Sequence, residues 1–263
     1  MDILCRKADG ILTLELNRPE RKNAITSTMY QSMADALKDG EQDGAVRAIL
    51  IIGKPEIFTA GNDLDDFLNT SGPAEGTADA NAFAERPVFQ FMQQLSGASK
   101  PVVAAVSGAA IGIGTTMLMH CDLVYAADNA KFSMPFVQLG LCPEFASSLL
   151  FAQLAGYPRA AEKLMLGEAF LAQEAFEMGL VSKVLPQGEL IPFALRQAAK
   201  LVALPAASIR ATKRLMKAAR TEPIKHAMSE ENKLFGAMLA APEAKEAFTA
   251  FFEKRKPDFS RFS

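Results

Sequence analysis

Apolar positions are arranged in two ways along this chain. In its first part they form short dense runs. Ala48-Ile49-Leu50-Ile51-Ile52 and Pro101-Val102-Val103-Ala104-Ala105-Val106 contain no polar residue, as expected of strands covered on both faces. Residues 3–6 and 11–17 read as two strands joined by the hairpin signal Asp9-Gly10. Shorter strands are expected at 122–126, 131–133 and 181–185. Between these runs the spacing turns helical. Met29, Met33, Ala36 and Leu37 form a stripe behind Thr26 as N-cap, and Val88, Phe91, Met92 and Leu95 form another within 83–95. A helix is also expected over 113–120. From residue 144 the helical period dominates, predicting helices over 144–154, 159–166, 172–178, 187–204, 208–220, 225–239 and 243–254. Residues 69–81, rich in Gly, Ala, Thr and Ser, read as a surface loop. The pattern predicts an α/β core to about residue 186 followed by a helical tail, with neither an internal repeat nor a separating linker.

Composition narrows the class. With 263 residues and 49% hydrophobic content the chain can bury a full core. It carries no run of roughly 18 apolar residues of the kind that spans a membrane, and its first residues lack the order of a secretory signal. A net charge of −2 argues against general nucleic-acid affinity. Cys5, Cys121 and Cys142 are odd in number and lack ligand spacing, which favours a reduced compartment. His120 and His226 have no Cys or acidic partners at metal-ligand spacing. The expectation is a cytoplasmic protein without metal, membrane or nucleic-acid partner.

Two glycine-punctuated turns carry the candidate chemistry. Phe58-Thr59-Ala60-Gly61-Asn62-Asp63-Leu64 follows the first apolar run, and Ser107-Gly108-Ala109-Ala110-Ile111-Gly112-Ile113-Gly114-Thr115-Thr116 follows the second. Each reads as strand, tight turn and helix start, where unpaired N–H groups favour negative charge. Side by side, two such turns can hold one oxyanion. Taken alone, the second turn also fits close helix–strand packing or a dinucleotide-binding loop. The dehydrogenases that carry a similar turn need a Tyr with Lys four residues on, and the three tyrosines here are followed at that spacing by Ala34, Asn129 and Ala161. No Lys precedes Thr115, so the turn is not a P-loop, and Ser107 stands outside a nucleophile elbow.

The combination extends beyond the turns. It includes Leu16-Asn17-Arg18-Pro19, Asn23-Ala24, Lys100-Pro101, Cys121-Asp122, Ala127, Phe132, Leu139-Gly140-Leu141, Ala172-x-Glu174-Ala175 and Gly179-Leu180-Val181. Over nearly its whole length the chain resembles the crotonase superfamily, the enoyl-CoA hydratases and isomerases. The resemblance implies an α/β spiral of ββα units over residues 1–190, holding the CoA and oxyanion site. It also implies a helical C-terminal region over 191–263 that builds a homotrimer or a dimer of trimers. The implied substrate is an acyl-CoA, with coenzyme A arriving as part of it and no permanently bound cofactor. The two thioester-binding amides fall on Ala60, or its neighbour Gly61, and on Ile113; Ala60 is taken as the first. Residues Ala60, Gly61, Asn62, Asp63 and Leu64 are implied to line the thiol end of CoA, and Lys22, beside Arg21, its nucleotide. Lys254-Arg255-Lys256 is a further candidate for phosphate charge, and the acyl tail is implied to run toward 83–92 and the loop 69–81.

Hydratases of the family use two glutamates. The corresponding slots here are Thr116 and Phe136, and water addition needs groups that orient and deprotonate water. The segment Leu139-Gly140-Leu141-Cys142-Pro143-Glu144 instead looks like that of the peroxisomal-type Δ3,Δ2-enoyl-CoA isomerases, in which the Glu of a Pro-Glu pair is the base. The implied reaction, in fatty-acid β-oxidation, is a 1,3-proton transfer by Glu144 through a dienolate held by the two amides. Phe136 and Leu141 are candidate walls of its apolar pocket. Glu144 equally suits a helix opening, with Pro143 at N1 and Glu144 at N2. In that case burial and the helix dipole push its pKa in opposite directions. Hydration, other crotonase chemistry, and a silent acyl-CoA-binding homologue remain the alternatives.

Overall fold

The computed structural model describes residues 1–71 and 85–262. Most of the loop expected at 69–81, and the Phe83 end of the expected acyl pocket, lie outside the described residues. Strands β1 (Ile3–Ala8), β2 (Ile11–Leu16), β3 (Ala48–Ile52), β5 (Val102–Val106), β7 (Leu123–Ala127) and β10 (Lys183–Leu185) form one sheet in that order. Its β1–β2 hairpin is antiparallel, and the pairings from β2 through β3, β5 and β7 to β10 are parallel. Strands β4 (Ile57–Thr59), β6 (Ala109–Ile111), β8 (Lys131–Ser133) and β9 (Phe170–Leu171) form a second, smaller sheet.

The two sheets are wound together. Each of the pairs β3–β4, β5–β6 and β7–β8 sends its first strand to the large sheet and its second to the small one, and successive units pair in parallel. This is the spiral that the sequence resemblance implies.

The dense apolar runs are explained by burial on both faces. Ile49, Ile51, Val102, Ala104 and Val106 face the main core with helices α1 (Ser27–Gln42) and α3 (Pro87–Gly97), the latter following α2 (Leu64–Ser71) in the chain. The alternate residues Leu50, Val103 and Ala105 face Leu190, Ala194 and Ala198 of helix Gln187–Ala203. Period-2 alternation therefore exists here but joins two apolar sides, so it does not show as an apolar–polar pattern. Thr26 caps α1 as expected, its side chain accepting from the Met29 amide.

Differences from the expected elements cluster at the second sheet. Strands β4, β6 and β9 have only two or three residues, too short to show a periodicity of their own. The helix expected over 113–120 divides into α4 (Ile113–Thr116) and a 3-10 turn at Met117–His120. The helix expected from residue 144 starts instead at Ser147, as α5 (Ser147–Ala155). It is followed by α6 (Tyr157–Leu166), α7 (Ala172–Glu177), α8 (Gln187–Ala203), α9 (Ala206–Ala218), α10 (Thr221–Leu239) and α11 (Pro242–Phe252). Among the described residues no single helix is long and apolar enough to cross a membrane.

Candidate active site

The two glycine turns are brought together by the second sheet. Strand β4 pairs with β6, Thr59 opposite Ala110, so the segments that leave these strands run side by side. Their approach is too close for a side chain at two positions. A Cβ on Gly61 (φ +88°) would lie 2.9 Å from the Ile111 carbonyl oxygen, and one on Gly114 would lie 2.4 Å from Thr59 Cγ2. The glycines therefore serve the contact between turns as well as turn conformation.

Hydrogen bonding separates the candidate amide donors. The Ala60 N–H donates to the Lys22 carbonyl at 3.0 Å. It is therefore committed, which corrects the expectation that placed the first oxyanion donor at Ala60. The Gly61 N–H donates to Thr59 Oγ1. Asn62 differs because it sits in a parallel bridge with Ile25: the Ile25 N–H donates to Gly61 O and the Asp63 N–H to Ile25 O. In an extended segment successive amides point to opposite sides, so the Asn62 N–H points away from this bridge. At the second turn the Gly112 N–H donates to Ser133 O, and the Thr115 and Thr116 amides turn back to Gly112 O. Ile113, at the first helical position, has no intrahelical acceptor. Among the described residues, the Asn62 and Ile113 amides donate to no acceptor.

Both residues line a cavity of about 650 Å³. Its apolar wall comes from Phe67, Val88, Phe89, Met92, Phe235, Leu239 and Phe248, and Tyr30, Asn62, Asp66 and Glu144 add polar groups. Phe136 and Leu141, the walls expected from sequence, are buried but do not line it. Phe136 packs edge-on behind Phe235 instead. Tyr30 donates from its hydroxyl to Asn62 Oδ1 and so braces the residue that carries the free amide. Burial, with the charges of Glu144 and Asp66, pushes the Tyr30 phenol well above its ordinary pKa and keeps it a donor.

Glu144 reaches this cavity from the loop before α5 and is 7% exposed. Its Oε1 accepts from Thr116 Oγ1 at 2.5 Å. Its Oε2 is buried and without a hydrogen-bond partner. The carboxylate thus arrives, from a different segment, beside the very slot where the sequence shows Thr in place of a hydratase glutamate. Burial pushes its pKa up to about 8; the Thr116 hydrogen bond pulls downward, and the Glu231 charge adds to the rise. The helix-opening reading of Glu144 fails, since α5 begins three residues later. Phe145 (φ +60°) and Ala146 (φ +56°) both lie in the left-handed region in between, which disfavours a side chain by roughly 1–2 kcal/mol per residue.

That turn is pinned from two sides. Glu231 of α10 accepts from the Ala146 N–H at 2.6 Å, the Ser148 N–H at 3.0 Å and the Ser148 hydroxyl at 2.5 Å. His120 Nε2 donates to the Phe145 carbonyl at 2.8 Å, and its ring stacks on Phe145 with centroids 3.9 Å apart. Burial lowers the His120 pKa to about 3, so the ring is a neutral structural donor. The helix-terminal amides that would have lowered the Glu144 pKa are taken by Glu231. This resolves the two opposing pushes expected from sequence in favour of burial.

Of the other predicted site residues, Lys22 is exposed and contributes its carbonyl to the Ala60 bond. Asp63 is buried and paired with Arg18 at 2.7 Å. Burial raises its pKa, but the hydrogen bonds from Arg18 and the Asp66 amide and the Arg18 and Arg21 charges outweigh this and hold it below the ordinary range. Its carboxylate is therefore an anchor of the first turn. Leu64 packs against the main core. Arg255 is held bidentately by Glu246, at 2.5 and 3.0 Å, and is not a free phosphate ligand. The open amide of Asn62 and the contacts of Tyr30 and Glu231 are not legible in the sequence. The first depends on which way an amide points, and the other two are ordinary helical residues until the fold brings them to the site.

The wound double sheet, with the free Asn62 and Ile113 amides and a buried carboxyl on one cavity, has the architecture of the crotonase fold. A family model described as enoyl-CoA hydratase/isomerase matches residues 6–261, and the chain belongs to that family, an acyl-CoA-processing enzyme of the crotonase superfamily. It is 37% identical over 229 residues to enoyl-CoA delta isomerase 2 of Rattus norvegicus, covering 87% of this chain and 57% of the rat protein. It is 34% identical to crotonyl-CoA hydratase of Syntrophomonas wolfei, covering 98% and 97% of the two chains. An enoyl-CoA hydratase/isomerase structure from Pseudoalteromonas atlantica superposes with a TM-score of 0.91 at 38% identity, covering 99% and 100%.

Proposed function

We propose that this protein is a Δ3,Δ2-enoyl-CoA isomerase acting in fatty-acid breakdown, with a 3-enoyl-CoA as substrate. The observation that carries the reading is Glu144, the one buried carboxyl on the cavity among the described residues, with Oε1 held by Thr116 and Oε2 unpartnered. In this mechanism the thioester oxygen accepts from the Asn62 and Ile113 amides. Glu144 Oε2 removes a proton from C2, and the electron pair of that bond moves into the thioester to form the dienolate. The two amides stabilise its negative charge, each contributing on the order of 3–4 kcal/mol. The protonated Glu144 then returns the proton to C4, and the double bond comes to rest between C2 and C3. Base and acid are the same group, so no net proton is consumed.

An elevated pKa suits both halves of the cycle. It makes the carboxylate a stronger base toward carbon and keeps the carboxylic acid formed in the first step from losing its proton to water. Hydration would need a second carboxyl to handle water. Asp66 also lines the cavity, but its Oδ2 accepts from the Ser27 amide and hydroxyl, both at 2.8 Å. We further propose that the protein assembles as a trimer or a dimer of trimers, as its resemblance implies. A panel of 3-enoyl-CoA esters of increasing length, run beside crotonyl-CoA, tests the reaction. Formation of the 2-enoyl thioester from the panel with little loss of the crotonyl absorbance is the expected result. Rapid hydration of crotonyl-CoA, with no turnover of any 3-enoyl ester, would replace isomerase by hydratase.

A further inference from the structure

Glu231 is a buried carboxylate, 6% exposed, that the proposed proton transfer does not use. It is absent from the cavity wall, although its neighbours Asn232 and Phe235 belong to it. Both of its oxygens are spent on the segment just after Glu144: Oε2 on the Ala146 amide, Oε1 on the Ser148 amide and hydroxyl. The backbone carbonyl of Glu231 also lies 3.7 Å from Cys142 Sγ, which donates to it from the other side of Glu144. One residue of α10 therefore grips the loop both before and after Glu144. Between these grips the chain passes through two left-handed non-glycine residues, a conformation that persists only where its surroundings over-determine it.

We propose that Glu231 is a positioning residue for the reaction, locking the Phe145–Ala146 turn so that Glu144 is held against Thr116 at the cavity. The inference rests on the reading of Glu144 as the base. A glutamine at 231 has the shape of glutamate but only one acceptor oxygen. Its NH₂ group would face an amide donor, so one grip is lost without opening a cavity. The lost charge matters too, because a like charge nearby raises the pKa of a carboxyl. The groups facing Glu144 are Thr116 from α4, Tyr30 from α1, Glu231 from α10 and Cys142 from its own loop, with Asp66 of α2 facing Tyr30. Of these, only Glu231 is a carboxylate coupled directly to it. Removing that charge and admitting water through a loosened turn both lower the Glu144 pKa.

The test uses full-length protein labelled with ¹³C at glutamate carboxyls and titrated by NMR, with E144Q assigning the Glu144 signal. Expected for E231Q is a Glu144 midpoint about half a pH unit or more below wild type. Its kcat on a 3-enoyl-CoA is expected to fall roughly ten- to hundredfold, with KM changed less than about threefold. S148A, which keeps the carboxylate and removes one donor, is expected to move both readouts less and in the same direction. It carries the test if E231Q does not fold. A folded E231Q, or failing that S148A, with wild-type midpoint and kcat would overturn the proposal. The titration needs no turnover. Wild-type protein inactive on every 3-enoyl-CoA, yet with a Glu144 midpoint that responds to E231Q, would remove the isomerase reading and leave the role of Glu231 standing.

Discussion

The paired turns at Gly61 and Gly114 bring to the cavity two residues, Asn62 and Ile113, whose backbone amides have no acceptor, whereas the loop at Glu144 brings a side chain, and the two are held by different means. The turns lie at the ends of paired strands, and their geometry follows from sheet register and from glycines that permit close approach. The Glu144 loop has no such frame. It depends on Glu231 and His120, which are distant in sequence, to fasten a strained turn. Backbone donors tolerate almost any side chain, which is why Ile stands at one of the proposed positions. An acid–base group tolerates none, because its charge, partner and burial all set its strength. Substitution should therefore act through identity at the loop and through backbone position at the turns.

The largest expected effect is at the loop. E144Q should lower isomerase turnover by roughly 10²- to 10⁴-fold, with CoA affinity retained in a binding titration. The same variant should be more stable than wild type at alkaline pH. Burial holds the folded pKa of Glu144 at about 8 against an ordinary 4.5, so the native state holds an extra proton between these values. Raising the pH through that window lowers wild-type stability, and Gln removes the loss. Thermal melts should coincide below pH 4.5, diverge in favour of E144Q as the pH rises from there to 8, and keep a constant separation above it.

Next is the backbone. Replacing the amide of Asn62 by an ester removes its N–H and should lower turnover on the order of 10²- to 10³-fold. The same change at Ala60 breaks only the bond to Lys22 and should cost far less activity. The reverse order would restore Ala60 as the donor. G61A should destabilise the fold by about 1–3 kcal/mol in denaturant melts, with turnover down at least about tenfold as the first turn moves off Ile111.

The smallest effect is tuning. In wild type, kcat/KM should rise with pH to a plateau above an apparent pKa near 8, because the free enzyme must lose the Glu144 proton before it can act as base. T116V removes the hydrogen bond that pulls this pKa down. The rising limb should move to higher pH, with activity at pH 7 reduced by roughly three- to tenfold. A limb that stays in place would mean that Thr116 does not tune the base.

Much of the fold is written in local sequence pattern. The apolar runs at 48–52 and 102–106, the β1–β2 hairpin, the capped α1 and the change to helices after the core all appear at the expected places. Hydrophobic period and turn chemistry are local properties, and long elements repeat them often enough to be seen. Strands β4, β6 and β9 are too short to repeat a pattern and adjoin the glycine turns or a helix start, so no run marks them as β8 and β10 are marked, although β4 and β6 bring the two turns together.

What the chain determined by itself is the inventory at the site: glycines where two turns must touch, an unpaired helix start at Ile113, and the pair Pro143-Glu144 with Thr116 and Phe136 in the slots of the hydratase carboxylates. Tertiary structure decided the rest. It committed the Ala60 amide to Lys22 and left that of Asn62 open, because the direction of an N–H in extended chain depends on which neighbour it pairs with. It also moved the start of α5 past Glu144 and gave the helix-terminal amides to Glu231. Whether a carboxyl is desolvated or stabilised depends on groups that meet only after folding, and no local pattern records them.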